Sequence, residues 1–228
     1  MVLLALDTAS SSCAVALVGA DGTLLAARTE ERRTGHAERL VPMIADILAE
    51  AGLAKGDLTK IAVSIGPGSF TGVRTAIAAA RGLALALSIP AVGVTTLEAL
   101  AAEARLKLGA VPILAAIDAG RDEVYAAAFD ANGNCVMQPC RLPYGRFAEG
   151  GSDLPLNDLR LVGDGIASLG LTADALPDSR TGAIETIAVL GRHREPNDAP
   201  QPLYLRGADA KPPSAAARIA RKVEGSAG

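Results

Sequence analysis

Two kinds of site in this chain bring together residue types that could do chemistry. The densest is Ser64-Ile-Gly-Pro-Gly-Ser-Phe-Thr-Gly-Val-Arg74, lying between the apolar run Ile61–Val63 and an Ala/Leu-rich segment that ends at Leu87. Gly66, Pro67, Gly68, Ser69, Thr71 and Gly72 therefore occupy a strand-to-helix turn. Glycines there allow backbone conformations closed to other residues and let another molecule come near the main chain. The free N–H groups and positive dipole end of the helix that follows suit an anion or a polar partner. The same glycines would serve equally as a tight turn that lets helix pack on strand, and neither the Walker nor the Rossmann spacing is present. The other site is a pair of aspartates, Asp7 and Asp118, each closing an apolar run and each followed by a hairpin. Thr8 and Ser10 stand beside the first and Arg121 beside the second, and each aspartate could accept hydrogen bonds from its own hairpin turn.

The remaining reactive residues are scattered. His36 and His193 are the only histidines, far apart in sequence, and one imidazole does not make a transition-metal site. His36 reads as a helix-start residue near a carboxylate such as Glu38. Cys135 and Cys140 lack zinc-ligand spacing, and with Cys13 they make an odd number that reads as reduced thiols of a cytoplasmic protein. No metal is expected. A net charge of −3 gives no electrostatic reason for direct nucleic-acid binding, and a chain without Trp, carrying three Tyr and three Phe, offers few platforms for stacking bases. The start meets an acid at Asp7 too soon for a signal peptide, and the longest uncharged run, Gly82 to Leu97, is shorter than a membrane span. No membrane partner is expected.

One plan of elements is written twice. Val2–Leu6 reads as a strand, Ala14–Val18 as a second, and Asp21-Gly22 as the turn into a third at Leu24–Arg28. A helix over about Ala37–Ala51 follows, with Leu40, Ile44, Ile47, Leu48 and Ala51 on its inward face; Pro42 falls in its first turn, where a missing N–H costs nothing. The glycine loop, its helix to Leu87, a strand at Ala91–Val94 and a helix at about Leu97–Leu106 complete the half. From Val111 the order recurs: a strand to Ile117, a strand Glu123–Phe129, the Asn132-Gly133 turn and a strand at Cys135–Met137. Leu159–Gly163 reads as a strand, Ala183–Leu190 as a helix and Gln201–Leu205 as a last strand. The organisation expected is a first lobe over residues 1–106, a reduced second lobe over 107–206, and a flexible basic tail over 207–228.

This duplicated plan resembles the actin-like ATPase superfamily, an α/β, ribonuclease H-like fold with a mixed five-stranded sheet and helices in its first half and a reduced second half. Within it, Leu3–Ser10, Gly66–Arg74, Val94–Leu100, Ile117–Tyr125 and Pro202–Arg206 resemble the TsaB (YeaZ-type) family of bacterial tRNA threonylcarbamoyladenosine biosynthesis proteins, also described as glycoprotease-like. The resemblance is strong over residues 2–130 and thin over 138–200. It implies a role in threonylcarbamoylation of adenosine 37 in tRNAs that read ANN codons, in service of a catalytic paralogue, TsaD, with the ATPase TsaE as a third component. The catalytic relative carries two metal-binding histidines on its first helix. Here Leu40 stands where the second would fall, so a non-catalytic scaffold or activator is the expectation. ATP-hydrolysing relatives place Gly two residues after the hairpin Asp; Asp7-Thr8-Ala9 has Ala there, whereas Asp118-Ala119-Gly120 keeps the Gly. Nucleotide contact at Asp7, Thr8, Ser10, Asp118 and Arg121 is thus expected to be weak or partner-dependent, with no cofactor bound alone and ATP or ADP at most at a subunit junction.

The partner surface expected lies on the first two helices. Val41 and Met43 fall off the inward stripe, and the second helix is apolar nearly all round, with Arg74 and Arg81 as its only charges. The interface expected comprises Leu40, Val41, Met43, Ile44, Ile47, Phe70, Arg74, Ile77, Ala80 and Arg81, used for TsaD or, in its absence, for a homodimer. Any tRNA contact would be indirect. The other classes to weigh are an autonomous ATPase or sugar kinase, which needs competent Asp7 and Asp118, and a metallopeptidase, which needs a ligand set.

Overall fold

The computed structural model describes residues 2–32, 34–147 and 158–205. The basic tail expected over 207–228 lies outside the described residues. Strands β1 (Val2–Asp7), β2 (Ser12–Val18), β3 (Leu24–Glu31), β4 (Leu58–Ser64) and β5 (Ala91–Val94) form a five-stranded sheet in the order β3-β2-β1-β4-β5. β1 pairs antiparallel with β2, Asp7 opposite Ala14, and parallel with β4, Leu6 opposite Val63. Strands β6 (Ile113–Gly120), β7 (Glu123–Phe129), β8 (Cys135–Pro143) and β9 (Arg160–Val162) form a second sheet in the order β8-β7-β6-β9, again antiparallel along the hairpins and parallel between β6 and β9. In both sheets the strand that opens the hairpin, β1 or β6, runs mid-sheet with an antiparallel partner on one side and a parallel neighbour on the other.

β1 is buried on both faces, and its two sides serve different helices. Leu4 and Leu6 pack with α1 (His36–Glu50) and α2 (Phe70–Leu87), whereas Leu3 and Ala5 pack with α5 (Ile184–His193). Opposite faces of one strand alternate in this way because its side chains do. The second sheet is covered by α3 (Thr96–Leu108), through Leu97, Leu100, Ala101 and Ala104, and on its other face by the short α4 (Gly165–Ser168) through Ile166. So α3, which follows the last strand of the first sheet, packs on the second, and α5, which follows the last strand of the second, packs on the first. The two helices also touch each other.

Three expectations change. Met43 is fully buried, in the same core cluster as Leu40, Ile44 and Ile47, rather than off the inward stripe. α1 begins at His36 under a left-handed Gly35, so Pro42 lies in the second turn, where its missing N–H leaves the Glu38 carbonyl without its helical donor. That turn faces solvent, where water can serve the carbonyl. Gln201–Leu205 is not a strand: it runs beside the segment after β4, joined to it by the Leu203 N–H donating to Ile65 O at 2.8 Å.

α2 is long and apolar enough to cross a membrane by length and composition alone. It lies instead along the first sheet, burying Val73, Ala76, Ile77 and Ala80 in the cluster that holds Ile61 and Val63 of β4.

Candidate functional site

The glycine loop closes on the first hairpin. Ser69 N–H donates to Ala9 O at 2.7 Å, and Thr8 Oγ1 donates to Gly72 O at 2.6 Å. A Cβ placed at Gly72 would stand 1.8 Å from Thr8 O, and one at Gly68 would stand 2.3 Å from Ala9 O. Only glycine lets the loop lie this close to the strand end. From the other side, Thr96 at the start of α3 donates its N–H to Gly66 O at 2.9 Å and its hydroxyl to Pro67 O at 2.6 Å. At the head of α2, Gly72 donates its N–H to the capping Ser69 Oγ at 3.2 Å and Val73 donates to Ser69 O at 2.9 Å. Of the two readings open for this loop, close packing of helix on strand accounts for Gly68 and Gly72.

Asp7 sits under that loop, 2% exposed. Its Oδ1 accepts the Ala9 N–H at 2.8 Å and the Ser64 hydroxyl, and its Oδ2 accepts the Thr181 hydroxyl at 3.0 Å. Burial pushes its carboxyl above the usual carboxylate range, against the pull of these donors and of His36. Thr8 is fully buried and Ser10 half-buried, its hydroxyl 2.8 Å from that of Ser12. His36 opens α1, and the carboxylate whose titration it influences is Asp7. Its buried Nε2 has no partner among the described residues.

The second hairpin repeats the local turn and departs from its setting. Asp118 Oδ1 accepts the Gly120 N–H at 2.7 Å, as Asp7 accepts that of Ala9, and also the Tyr144 hydroxyl at 2.7 Å. Gly163, before α4, and Gly165, its first residue, approach β6 as the first loop approaches β1: a Cβ at Gly163 would stand 2.1 Å from Ala116 O. Asp164 accepts the Asp118 N–H at 2.9 Å and pairs with Arg180 at 2.9 Å. Partial burial pushes the Asp118 carboxyl up, but Gly120, Tyr144 and Arg180 outweigh it and hold the group below the usual range. Arg121 and Asp122, both at φ 59°, form the exposed hairpin tip. The two aspartates thus have opposite tendencies: the first is sealed and favours its proton, the second is half-open and favours its charge.

The residues expected on a partner surface divide into two groups. Leu40, Met43, Ile44, Ile47, Ile77 and Ala80 are buried in one core cluster, with Leu40 also lining the groove between α1 and α2. Val41 and Phe70, 60% and 61% exposed, flank an apolar groove between α1 and α2 with Ala37, Thr71, Arg74 and Ala78. Arg81 is exposed farther along α2, in a neighbouring groove beside Leu85 and Pro200. The spacing 37/41 on one helix and 70/74/78 on the other would have marked the outward stripe. Tyr204, which stands against Phe70 and Arg74, could not be found from local pattern. Among the described residues, no group of three or more His, Cys, Asp or Glu could hold a metal ion.

Comparison with known proteins places these features. A family model for TsaD, tRNA N6-adenosine threonylcarbamoyltransferase, matches residues 25–151. The tRNA threonylcarbamoyladenosine biosynthesis protein TsaB of Escherichia coli is 46% identical over 136 residues, 60% of this chain and 58% of that protein. TsaB of Haemophilus influenzae is 37% identical over 147 residues, 64% of this chain and 59% of that protein. The matches therefore span less than two thirds of the length of these curated relatives. The solved structure of YeaZ from Pseudomonas aeruginosa is 34% identical, covers 90% of this chain and 99% of its own, and superposes with a TM-score of 0.73.

Proposed function

Because this chain belongs to the TsaB/YeaZ-type family of tRNA threonylcarbamoyladenosine biosynthesis proteins, we propose that it serves threonylcarbamoylation of adenosine 37 in ANN-decoding tRNAs as a non-catalytic subunit. It docks on the catalytic paralogue TsaD through the outer faces of α1 and α2 and holds that enzyme's cleft in working geometry. TsaE joins as a third component, and without TsaD the same face pairs two copies of the chain. Any ATP or ADP sits at a subunit junction, and tRNA is met through the partner.

The observation that carries the reading is the apolar groove between α1 and α2. Two large apolar side chains stand open to water there although the six interior residues beneath them complete the core without them. Exposed apolar patches of this kind mark interaction surfaces. The state of Asp7 supports the non-catalytic part: both of its oxygens are engaged, and the glycine loop covers the turn through which a phosphate would have to approach.

The test is Val41→Asp in the full-length chain, with co-purification of TsaD and tRNA modification as readouts. Val41 points outward, so the fold is expected to be unchanged by circular dichroism and melting. Complex formation is expected to weaken by at least about 30-fold, the loss typical of a charge placed in an interface centre. Undisturbed binding with a folded variant would overturn the reading. Tight Mg-ATP binding by the isolated chain, lost on changing Asp7, would favour an autonomous ATPase instead.

A further inference from the structure

One end of the groove carries a side-chain arrangement that the docking reading does not explain. Arg74 lies over the ring of Phe70, its guanidinium carbon 3.5 Å from the ring centroid, and its Nε donates to the Tyr204 hydroxyl at 2.7 Å. The two rings are 6.1 Å apart and tilted by 39°, with the guanidinium 5.4 Å from the Tyr204 ring. Tyr204 comes from 130 positions away, on a segment tied down by the Leu203 N–H to Ile65 O hydrogen bond. All three side chains are exposed, Tyr204 by 53%. Three exposed side chains do not give up their rotamer freedom to one another without a consequence: what they fix is the direction of a cation.

With Nε committed, the two Nη groups are the donors Arg74 has left. Among the described residues no carboxylate pairs with it, and α2 itself contains no acid. A guanidinium whose stem is clamped by an aromatic face and a phenol presents a planar, forked donor at the mouth of an apolar groove. That geometry matches a carboxylate. Preorganisation reduces the ordering cost that a free arginine would incur on binding.

We propose that Tyr204 is a positioning residue of the docking face, holding Arg74 across Phe70 as the receptor for an Asp or Glu of the partner. The partner segment is then an apolar one that fills the groove beside Val41 and carries a carboxylate at its edge. The argument is one of charge complementarity, and it rests on the docking reading above.

The experiment measures affinity of the full-length chain for TsaD by calorimetry, with Val41→Asp as the reference for docking. Tyr204→Phe keeps the ring and removes the hydroxyl, and is expected to weaken binding about 3- to 10-fold, the effect of one hydrogen bond to a charged group. Arg74→Lys keeps the charge and loses the fork, and is expected to cost about 10-fold or more. In an Arg74→Gln background Tyr204→Phe should have no further effect, a non-additivity that a merely structural tyrosine would not produce. Melting temperatures of all the variants should match the parent. If Val41→Asp abolishes the complex while Tyr204→Phe and Arg74→Lys bind as the parent does, this inference is overturned and the docking reading stands. If Val41→Asp also binds normally, both are overturned.

Discussion

Replacing Gly72 by Ala tests how the glycine loop meets the first strand. The added methyl would lie 1.8 Å from Thr8 O, where ordinary contact begins near 3.4 Å, and the obstructing atom is main chain at the end of β1. β1 cannot easily retreat: Asp7 is tied to Ser64, Ala9 and Thr181, and the strand is hydrogen-bonded on both sides. α2 must therefore move outward, straining the Thr8 hydroxyl bond to Gly72 O. Overpacking of a tight interior costs about 1–3 kcal/mol and more where backbone meets backbone, so about 3 kcal/mol is expected here. At about 2–4 °C per kcal/mol for a chain of this size, the melting temperature should fall by about 6–12 °C. The control sits on the same helix. Gly82 has no heavy atom outside its own helix backbone near a would-be Cβ, so Gly82→Ala should raise stability by about 0.5–1 kcal/mol through chain entropy and helix propensity. Thermal melts by circular dichroism, run side by side, read both. A Gly72→Ala protein melting within about 2 °C of the parent would refute the claim that the loop's glycines exist for close approach.

The buried carboxylate and the thiols give three further predictions. Burial raises the Asp7 carboxyl, so the native chain keeps a proton that the unfolded chain releases above its ordinary value of 3.8, and the native state loses stability as pH rises through that interval. Asn does not titrate and can still accept from Ala9 and Ser64, so Asp7→Asn should gain on the parent in melting temperature as pH rises above 3.8, a trend that a pH series of melts would show or exclude. Asp7→Ala leaves three donors without an acceptor and should cost about 3 kcal/mol or more at any pH. Burial, with a smaller contribution from Glu30, pushes the Cys13 thiol up to about 11. Thiol labelling at pH 8 followed by mass spectrometry should find exposed Cys135 modified first and Cys13 modified only on unfolding; early labelling of Cys13 would contradict its burial.

Much of the architecture was legible because the strands are short apolar runs closed by turn signals, as at Ala14–Val18 with Asp21-Gly22 beyond and Glu123–Phe129 with Asn132-Gly133 beyond. The recurrence of an aspartate before each hairpin carried the duplication. Met43 was misplaced because its chemistry was weighed above its phase: it lies three residues after Leu40 and four before Ile47, within the stripe, and the helix buries it. Gln201–Leu205 alternates like a strand but finds no sheet edge to join. What local pattern could not supply were the long-range contacts. Thr181 reaches Asp7 across 174 positions, and Tyr204 reaches Arg74 across 130. Neither leaves a periodic trace, since a single side chain meeting a single partner has no spacing to read.

The exchange of α3 and α5 between the sheets has a consequence for how the chain is made. When the ribosome has released residues as far as β5, the face of the first sheet bearing Leu3, Ala5, Val92 and Val94 has no cover, because Ile184 and Ile187 have yet to be synthesised. At about 5–20 residues per second, that greasy underside waits for several seconds. The nascent polypeptide therefore cannot mature from front to back. It closes late, when the helix at 184–193 packs beneath the opening strands.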